Sequence, residues 1–371
     1  MSALTPNVLY FFLIPFSLVS IFSFPVGVLL YFFLFGWILI KNNFKIEIRR
    51  EYFIINIIIF FNILFLTVSL FTAIEGGFYF FIRNFLVLFF LFIIINKKDF
   101  IASPLSISIT WYLFYLIAIL SIIFPEKFGF FYDSLNLSRL KLWFGPNQFA
   151  LVCVFGLISI LNVAYLNRYR FIISIFTFFC VIFIISKAIS ITGLLSLSII
   201  FIIYFIVMLF YKKVSFIYLS LLLSSFFILI SLDLFNDIEI LNKITLSVDN
   251  KFESGTAYAR IQSVENVINS DFPFFGNGLG AANLLETKPH NWLFLQLYEQ
   301  GYIGAFGSFC LTVSVFLTIF FKGLKSRVPE ETIYTLGCGF LFLMSMALFP
   351  NVTDFIGFLF AGFSLKNNSL R

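Results

Sequence analysis

The chain has 371 residues, of which 61% are hydrophobic, 21% aromatic and only 11% charged, with a formal net charge of +6 and a mean hydropathy of +1.04. Soluble domains are about half apolar and about a quarter charged, so this composition excludes a soluble domain, a disordered chain, collagen and a disulfide-stapled secreted scaffold. Lipid is the solvent that remains, and the expected fold class is an all-α polytopic membrane protein.

A span needs about 20 apolar residues to cross the ~30 Å hydrocarbon layer. It must be helical, because an open sheet edge in lipid leaves backbone groups unpaired. In chain order the spans are predicted at 8–23, 25–40, 52–73, 78–95, 101–123, 147–166, 171–186, 190–210, 214–231, 302–321, 332–349 and 354–365. Residues 8–40 form one apolar run broken only around Ser23 and Pro25, and 354–365 is short enough to be re-entrant, so the count is about 12, between 11 and 13. The opening MSALTPNVLY has no basic n-region and no cleavage site, so no removable signal peptide is expected. Cys153, Cys180, Cys310 and Cys338 all sit in apolar stretches without metal-ligand spacing and read as small core residues. The basic residues are scattered in pairs between apolar runs, which does not suit nucleic acid.

Alternating the loops between two faces sorts the charges. One face carries 15 basic residues, among them Lys41, Arg49, Arg50, Lys97, Lys98, Lys322 and Lys325, against 5 acidic ones, a net of +10. The other carries 9 basic and 13 acidic residues, a net of −4. The positive-inside rule makes the first face cytoplasmic and puts both termini there. On the outer face two loops are longer than a turn, 125–146 and 231–289, within a single membrane domain of 1–371. The larger one holds 12 of the 42 charged residues. Long loops in compact folds are usually functional, so the working part is expected outside the cytoplasm.

Inside that loop, TAYARIQSVENVINS is predicted to be an amphipathic helix with Ala257, Ile261, Val264 and Ile268 on one face and Arg260 at its edge. A guanidinium offers a bidentate fork suited to a diphosphate, although an Arg at this place can equally be snorkelling. FFGNGLGAAN (274–283) is glycine-rich but does not follow a strand, so it reads as a loop turning back to the membrane. The only histidine, His290, follows it. An imidazole titrating near neutrality can take a proton from a hydroxyl. The same residue could instead cap a helix together with Asn291. Gly301, Gly304 and Gly307 then recur every third residue, a stripe that lets a neighbouring helix approach. Further outer-face cations are Arg139 and Lys141, Lys187 in a short turn, and Arg83, which lies inside a span where an ionisable group is a site hypothesis by default. No HExxH, Walker loop or paired-carboxylate pattern is present, so neither a metal nor a nucleotide cofactor is expected.

His290-Asn291, nine residues, Gly301, two residues, Gly304 resembles the His-(Asn/Ser/Gln)-x9-Gly-x-x-Gly signature of the O-antigen ligase and polymerase superfamily. Three other regions are similar to that family: GPNQFA (145–150) to its Asn-Pro-Asn-x-x-Ala element, the Arg260 helix with the Pro-x-x-Gly-x-Gly of 273–278 to the end of its large loop, and Ser186-Lys187-Ala188 to its Ser-Arg turn. The likeness covers roughly 139–310. It departs at Lys187, where the family has Arg, and at Gly145, so that only Asn147 carries over.

The resemblance implies an inner-membrane glycosyltransferase that uses undecaprenyl-diphosphate-linked oligosaccharide at the periplasmic face. His290 would be the catalytic base. Arg260, Lys187, Arg139, Arg83, Asn291 and Asn147 would bind diphosphate or glycan. The implied partners are the lipid-linked oligosaccharide, the bilayer and a candidate chain-length regulator. An O-antigen polymerase is the first expectation, an O-antigen ligase the second, and a lipid-linked oligosaccharide flippase the third. A transporter would more often show repeat-related halves, and no internal repeat is visible.

Overall fold

The structure, a computed structural model, describes residues 36, 40, 47–74, 77–96, 103–125, 131–134, 137–140, 146–164, 170–188, 190–211, 256–270, 274–285, 289, 291–348, 357, 361–362 and 364–365. Among these residues the chain is helical apart from one short hairpin. The elements are α1 (Phe53–Leu70), α2 (Gly77–Asn96), α3 (Pro104–Ile123), β1 (Phe131–Ser134), β2 (Leu137–Leu140), α4 (Pro146–Ala164), α5 (Arg170–Ala188), α6 (Ile191–Phe210), α7 (Thr256–Asn269), α8 (Trp292–Lys325) and α9 (Pro329–Leu348). Two 3-10 turns, Arg50–Tyr52 and Ala281–Leu284, precede α1 and α8. The spans expected at 8–23 and 214–231 lie outside the described residues, as do all but isolated positions of 25–40 and 354–365.

Five described helices are long and apolar enough to cross a membrane: Arg50–Leu70, Gly77–Asn96, Pro104–Ile123, Thr192–Phe210 and Trp292–Lys325. The protein is a helical multi-pass membrane protein. α1 shows most directly why lipid is its solvent. Its buried positions include Asn56, Asn62 and Ser69, whereas Phe53, Ile54, Ile57, Phe60, Phe61 and Leu64 are exposed. In water that arrangement would expose a large apolar patch. In a bilayer it turns hydrocarbon towards hydrocarbon and gives the polar groups partners inside the protein.

The described chain divides into two compact units. In the first, α1 packs on α2 and α8. Its core follows helical spacing, with Ile55 and Ile59 from α1, Leu88, Leu91 and Ile95 from α2, and Leu311, Val315 and Ile319 from α8. Polar clasps hold one end together. Asn56 and Asn96 exchange side-chain amide bonds, Asn96 Nδ2 donating at 2.7 Å and Asn56 Nδ2 at 3.1 Å. Asn96 Oδ1 also accepts the Arg49 backbone N–H at 2.9 Å. The Tyr52 hydroxyl, at 2.8 Å, and Lys322 Nζ both donate to the Leu365 carbonyl. The other end of α1 meets the glycine-rich loop, where Ile74 N–H donates to the Leu279 carbonyl at 3.2 Å.

In the second unit α4 is buried nearly all round, with Phe149 to Val154 at its centre, as an all-apolar helix should be. It packs against α5 and α6. Gly193 permits the α6 approach, because a Cβ there would stand 2.4 Å from the Ala150 Cβ. β1 and β2 pair antiparallel, Tyr132 opposite Arg139, within the loop expected at 125–146. Two four-residue strands carry too little alternation to be read from sequence.

Candidate functional site

The region singled out by the His-x9-Gly pattern is built around the start of α8. Asn291 caps this helix: its Oδ1 accepts the backbone N–H groups of Leu293 at 2.8 Å and Phe294 at 3.4 Å. Its Nδ2 donates to the Ala347 carbonyl at 3.3 Å. The oxygen of this expected substrate-binding residue is therefore committed to the helix start. His290 lies outside the described residues. α8 begins at Trp292 rather than at the expected 302, because Gln296, Glu299 and Gln300 lower the hydropathy of its first turns while still being buried.

At Gly301 the helix breaks, with φ 70° and ψ −165°, a conformation essentially confined to glycine. The glycine-rich loop docks onto this break. Asn277 N–H donates to the Tyr298 carbonyl at 2.9 Å and Gly278 N–H to the Glu299 carbonyl at 3.0 Å. Gly280 N–H donates to Glu299 Oε1 at 3.1 Å. The chains touch so closely that a Cβ on Gly301 would stand 2.1 Å from the Phe274 carbonyl oxygen, and one on Gly276 would stand 2.4 Å from the Gly301 nitrogen. Positive φ at Gly276, Gly278 and Gly280 gives the loop its shape.

This corrects the reading of the glycine stripe. Only Gly307 admits a neighbouring helix: Asn62 Nδ2 donates to its carbonyl at 3.0 Å. Gly301 admits a loop, and Gly304 makes room for Gln300, whose Oε1 lies 2.8 Å from where a Gly304 Cβ would be.

The helix expected around Arg260 is present as α7. Its protein-packed residues are Ser263 and Val267, while Ile261 and Ile268 of the expected apolar face are 48% and 61% exposed. Near a bilayer the apolar face need not be the one turned to protein. Arg260 stands on α7 one turn before Val264; its side chain lies outside the described atoms.

In the second unit Asn147 sits in the first turn of α4, and its Oδ1 accepts the Ser190 hydroxyl at 2.8 Å. The same Ser190 Oγ accepts Gly193 N–H at 3.0 Å and so caps α6. This ties Asn147 to the turn after Lys187, which is exposed in the last turn of α5. β2, which carries Arg139, packs on α5. The structure thus gathers Asn147, Lys187 and the Arg139 strand within one unit. In the first unit Arg83 is half-buried in α2, its guanidinium 5.2 Å from the Phe80 ring centroid and Nη2 3.4 Å from Asn84 Oδ1.

Sequence reasoning passed over Glu299, Gln296, Gln300, Asn62 and Asn84. Each is a polar residue inside an apolar helix, and that alone was the available signal. Among the described residues no three potential metal ligands come together. No protein-family model matches the chain, and no curated protein matches it.

Proposed function

We propose that the protein is a surface-polysaccharide polymerase, joining undecaprenyl-diphosphate-linked repeat units at the periplasmic face of the bacterial inner membrane. About twelve spans carry it, with 231–289 periplasmic and both termini cytoplasmic. His290 takes the proton of the acceptor hydroxyl. The acceptor oxygen bonds to the anomeric carbon of the donor, and the bond from that carbon to the diphosphate breaks. Undecaprenyl diphosphate leaves, its charge offset by Arg260 with Lys187, Arg139 and Arg83. No metal or nucleotide takes part.

The observation that carries this reading is the docking of the Pro-x-x-Gly-x-Gly loop on Gly301 of the His-x9-Gly-x-x-Gly segment. The resemblance rests on these two motifs, and Gly276 of one and Gly301 of the other stand where a side chain would collide with the opposite motif. The described part of the loop runs to Leu285, five residues before His290 in sequence.

Deleting the gene separates the two transferases, which share a donor and differ in acceptor. Loss of a polymerase leaves lipopolysaccharide capped with a single repeat unit. Loss of a ligase removes even that unit and leaves polymer on undecaprenyl diphosphate, which would replace the polymerase reading with the ligase one. Complementation with His290→Ala should fail although the protein accumulates in the membrane. Full complementation would return His290 to a structural role and end the transferase reading.

A further inference from the structure

Tyr52 and Lys322 mark one level of the first unit, because the Tyr52 hydroxyl and Lys322 Nζ both donate to the Leu365 carbonyl. From that level α1 and α8 run, packed on each other, to the opposite end of the unit. At ~1.5 Å per residue, α1 rises about 27 Å from Phe53 to Phe71, and α8 covers about 30 Å from Lys322 back to Tyr302. The hydrocarbon layer is ~30 Å thick. Both helices therefore reach its far boundary at Phe71 and Tyr302.

The faces turned away from protein stay apolar up to that boundary. On α1 the exposed face runs through Phe53, Ile57, Phe60, Leu64 and Val68 to Phe71, which is 88% exposed. On α8 it runs through Phe309 and Phe306 to Tyr302.

The glycine-rich loop docks at this same level on both helices. Beside α1, Ile74 N–H donates to the Leu279 carbonyl at 3.2 Å, and a Cβ on Gly278 would collide with the Thr72 carbonyl. Beside α8, the Phe274 carbonyl abuts Gly301, and Asn277 N–H donates to the Tyr298 carbonyl at 2.9 Å. Gly276, Gly278 and Gly280 are buried, whereas Phe274, Phe275 and Leu284 are 59%, 51% and 76% exposed. The two phenylalanine rings meet edge to face with centroids 5.3 Å apart, so they present one joined aromatic surface.

We infer that the loop seats Phe274, Phe275 and Leu284 in the boundary between hydrocarbon and lipid headgroups, anchoring it on the bilayer surface. The depth of the docking carries this, together with continuity: the exposed apolar faces of α1 and α8 reach the loop from either side. Lipid already covers those faces, and a patch that continues them would be costly to leave in water. Aromatic side chains also favour this boundary. The end of α7 is held there too, since Asn269 precedes Phe274 by five residues, a reach of at most about 18 Å. On α7 the exposed Ile268 stands beside the exposed Glu265 and Asn269. That mixture suits a helix lying on the surface, its carboxylate among the headgroups rather than in hydrocarbon. The inference needs only the membrane-spanning fold and is independent of the polymerase reading.

The test uses the full-length protein in vesicles of phosphatidylethanolamine and phosphatidylglycerol. Its four native cysteines are replaced by alanine, and a nitroxide label is placed at Phe275→Cys or Leu284→Cys. Collision with oxygen, which concentrates in lipid, is compared with collision with a water-soluble nickel chelate. Phe61→Cys, midway along α1, and Lys325→Cys, exposed at the opposite end of the unit, supply the hydrocarbon and aqueous references. The oxygen-to-nickel ratio at both loop positions should lie severalfold above that of Lys325→Cys and below that of Phe61→Cys. If the cysteine-free protein does not fold, Phe275→Trp in the native chain replaces the label. Its added emission should then be quenched by phospholipids brominated high on the acyl chain and little by aqueous acrylamide. A ratio equal to that of Lys325→Cys, or quenching by acrylamide alone, would put the loop in water and overturn the inference. Poor access to both collision reagents, or to both quenchers, would mean that protein or a second copy covers the patch, and would overturn it equally.

Discussion

Glu299 Oε1 accepts the backbone N–H of Gly280 at 3.1 Å, and the Glu299 main-chain carbonyl accepts that of Gly278 at 3.0 Å. One residue of α8 therefore holds the loop twice, once through its side chain and once through its backbone. Only the first of these bonds can be removed by substitution. Glu299 is buried, so Glu299→Ala leaves the Gly280 N–H without its acceptor and should cost about 1–3 kcal/mol. Glu299→Gln keeps an oxygen in place and should cost less. Thermal unfolding in detergent checks both, and an alanine variant as stable as wild type would show that the side-chain bond does not hold the loop.

Gly301 and Gly307 make a second comparison, because both belong to the same three-residue stripe. Gly301→Ala meets the Phe274 carbonyl at 2.1 Å and must also hold φ 70°, a backbone strain of about 1–3 kcal/mol before the collision is counted. Gly307→Ala meets only Asn62 Oδ1 at 3.2 Å, which a side chain can relieve by a small shift. The level of folded protein in membranes should fall severalfold for Gly301→Ala and little for Gly307→Ala. Equal effects would mean that the break at Gly301 is not required.

The reciprocal amide pair of Asn56 and Asn96 is expected to couple α1 to α2. Hydrogen bonds between helices in membranes average about 0.6 kcal/mol and reach about 1.7. Asn96 also serves Arg49 N–H and the Phe92 carbonyl, so this pair should lie towards the upper part of that range. In a double-mutant cycle with leucine, each single variant strands the partner amide, and the double variant should cost less than the two singles added. Strict additivity would show that the two amides do not support each other.

These relationships show how far the sequence could be read. Helices such as 78–95 and 190–210 were legible because lipid-spanning length and apolarity are properties of composition, and α2 and α6 stand there with ends shifted by at most a residue. The start of α8 was not legible, because Gln296, Glu299 and Gln300 look like loop residues until their burial and the docked loop are seen. The role of Gly301 was hidden for a related reason. A glycine every third residue suits close helix packing, and only the partner tells whether a helix, a loop or the helix's own side chain fills the space. The exposed Ile261 and Ile268 on α7 show the limit of amphipathicity, which gives a face but not whether protein or bilayer covers it.

Arg260 gives the sharpest test of how the donor is bound. It stands on α7, and in the proposed reaction its planar fork grips the diphosphate with two parallel hydrogen bonds. Lysine supplies the charge without the fork. Arg260→Ala should therefore abolish polymer, and Arg260→Lys should restore only part of it. Lys187, exposed at the end of α5, reverses the comparison: Lys187→Arg installs the fork and should leave activity intact or raised. Repeat-unit ladders from cells carrying each variant at matched protein levels provide the measurement. An Arg260→Lys ladder indistinguishable from wild type would reduce Arg260 to a point charge, and an unaffected Arg260→Ala ladder would remove it from the reaction, leaving a cation that only anchors α7 at the membrane surface.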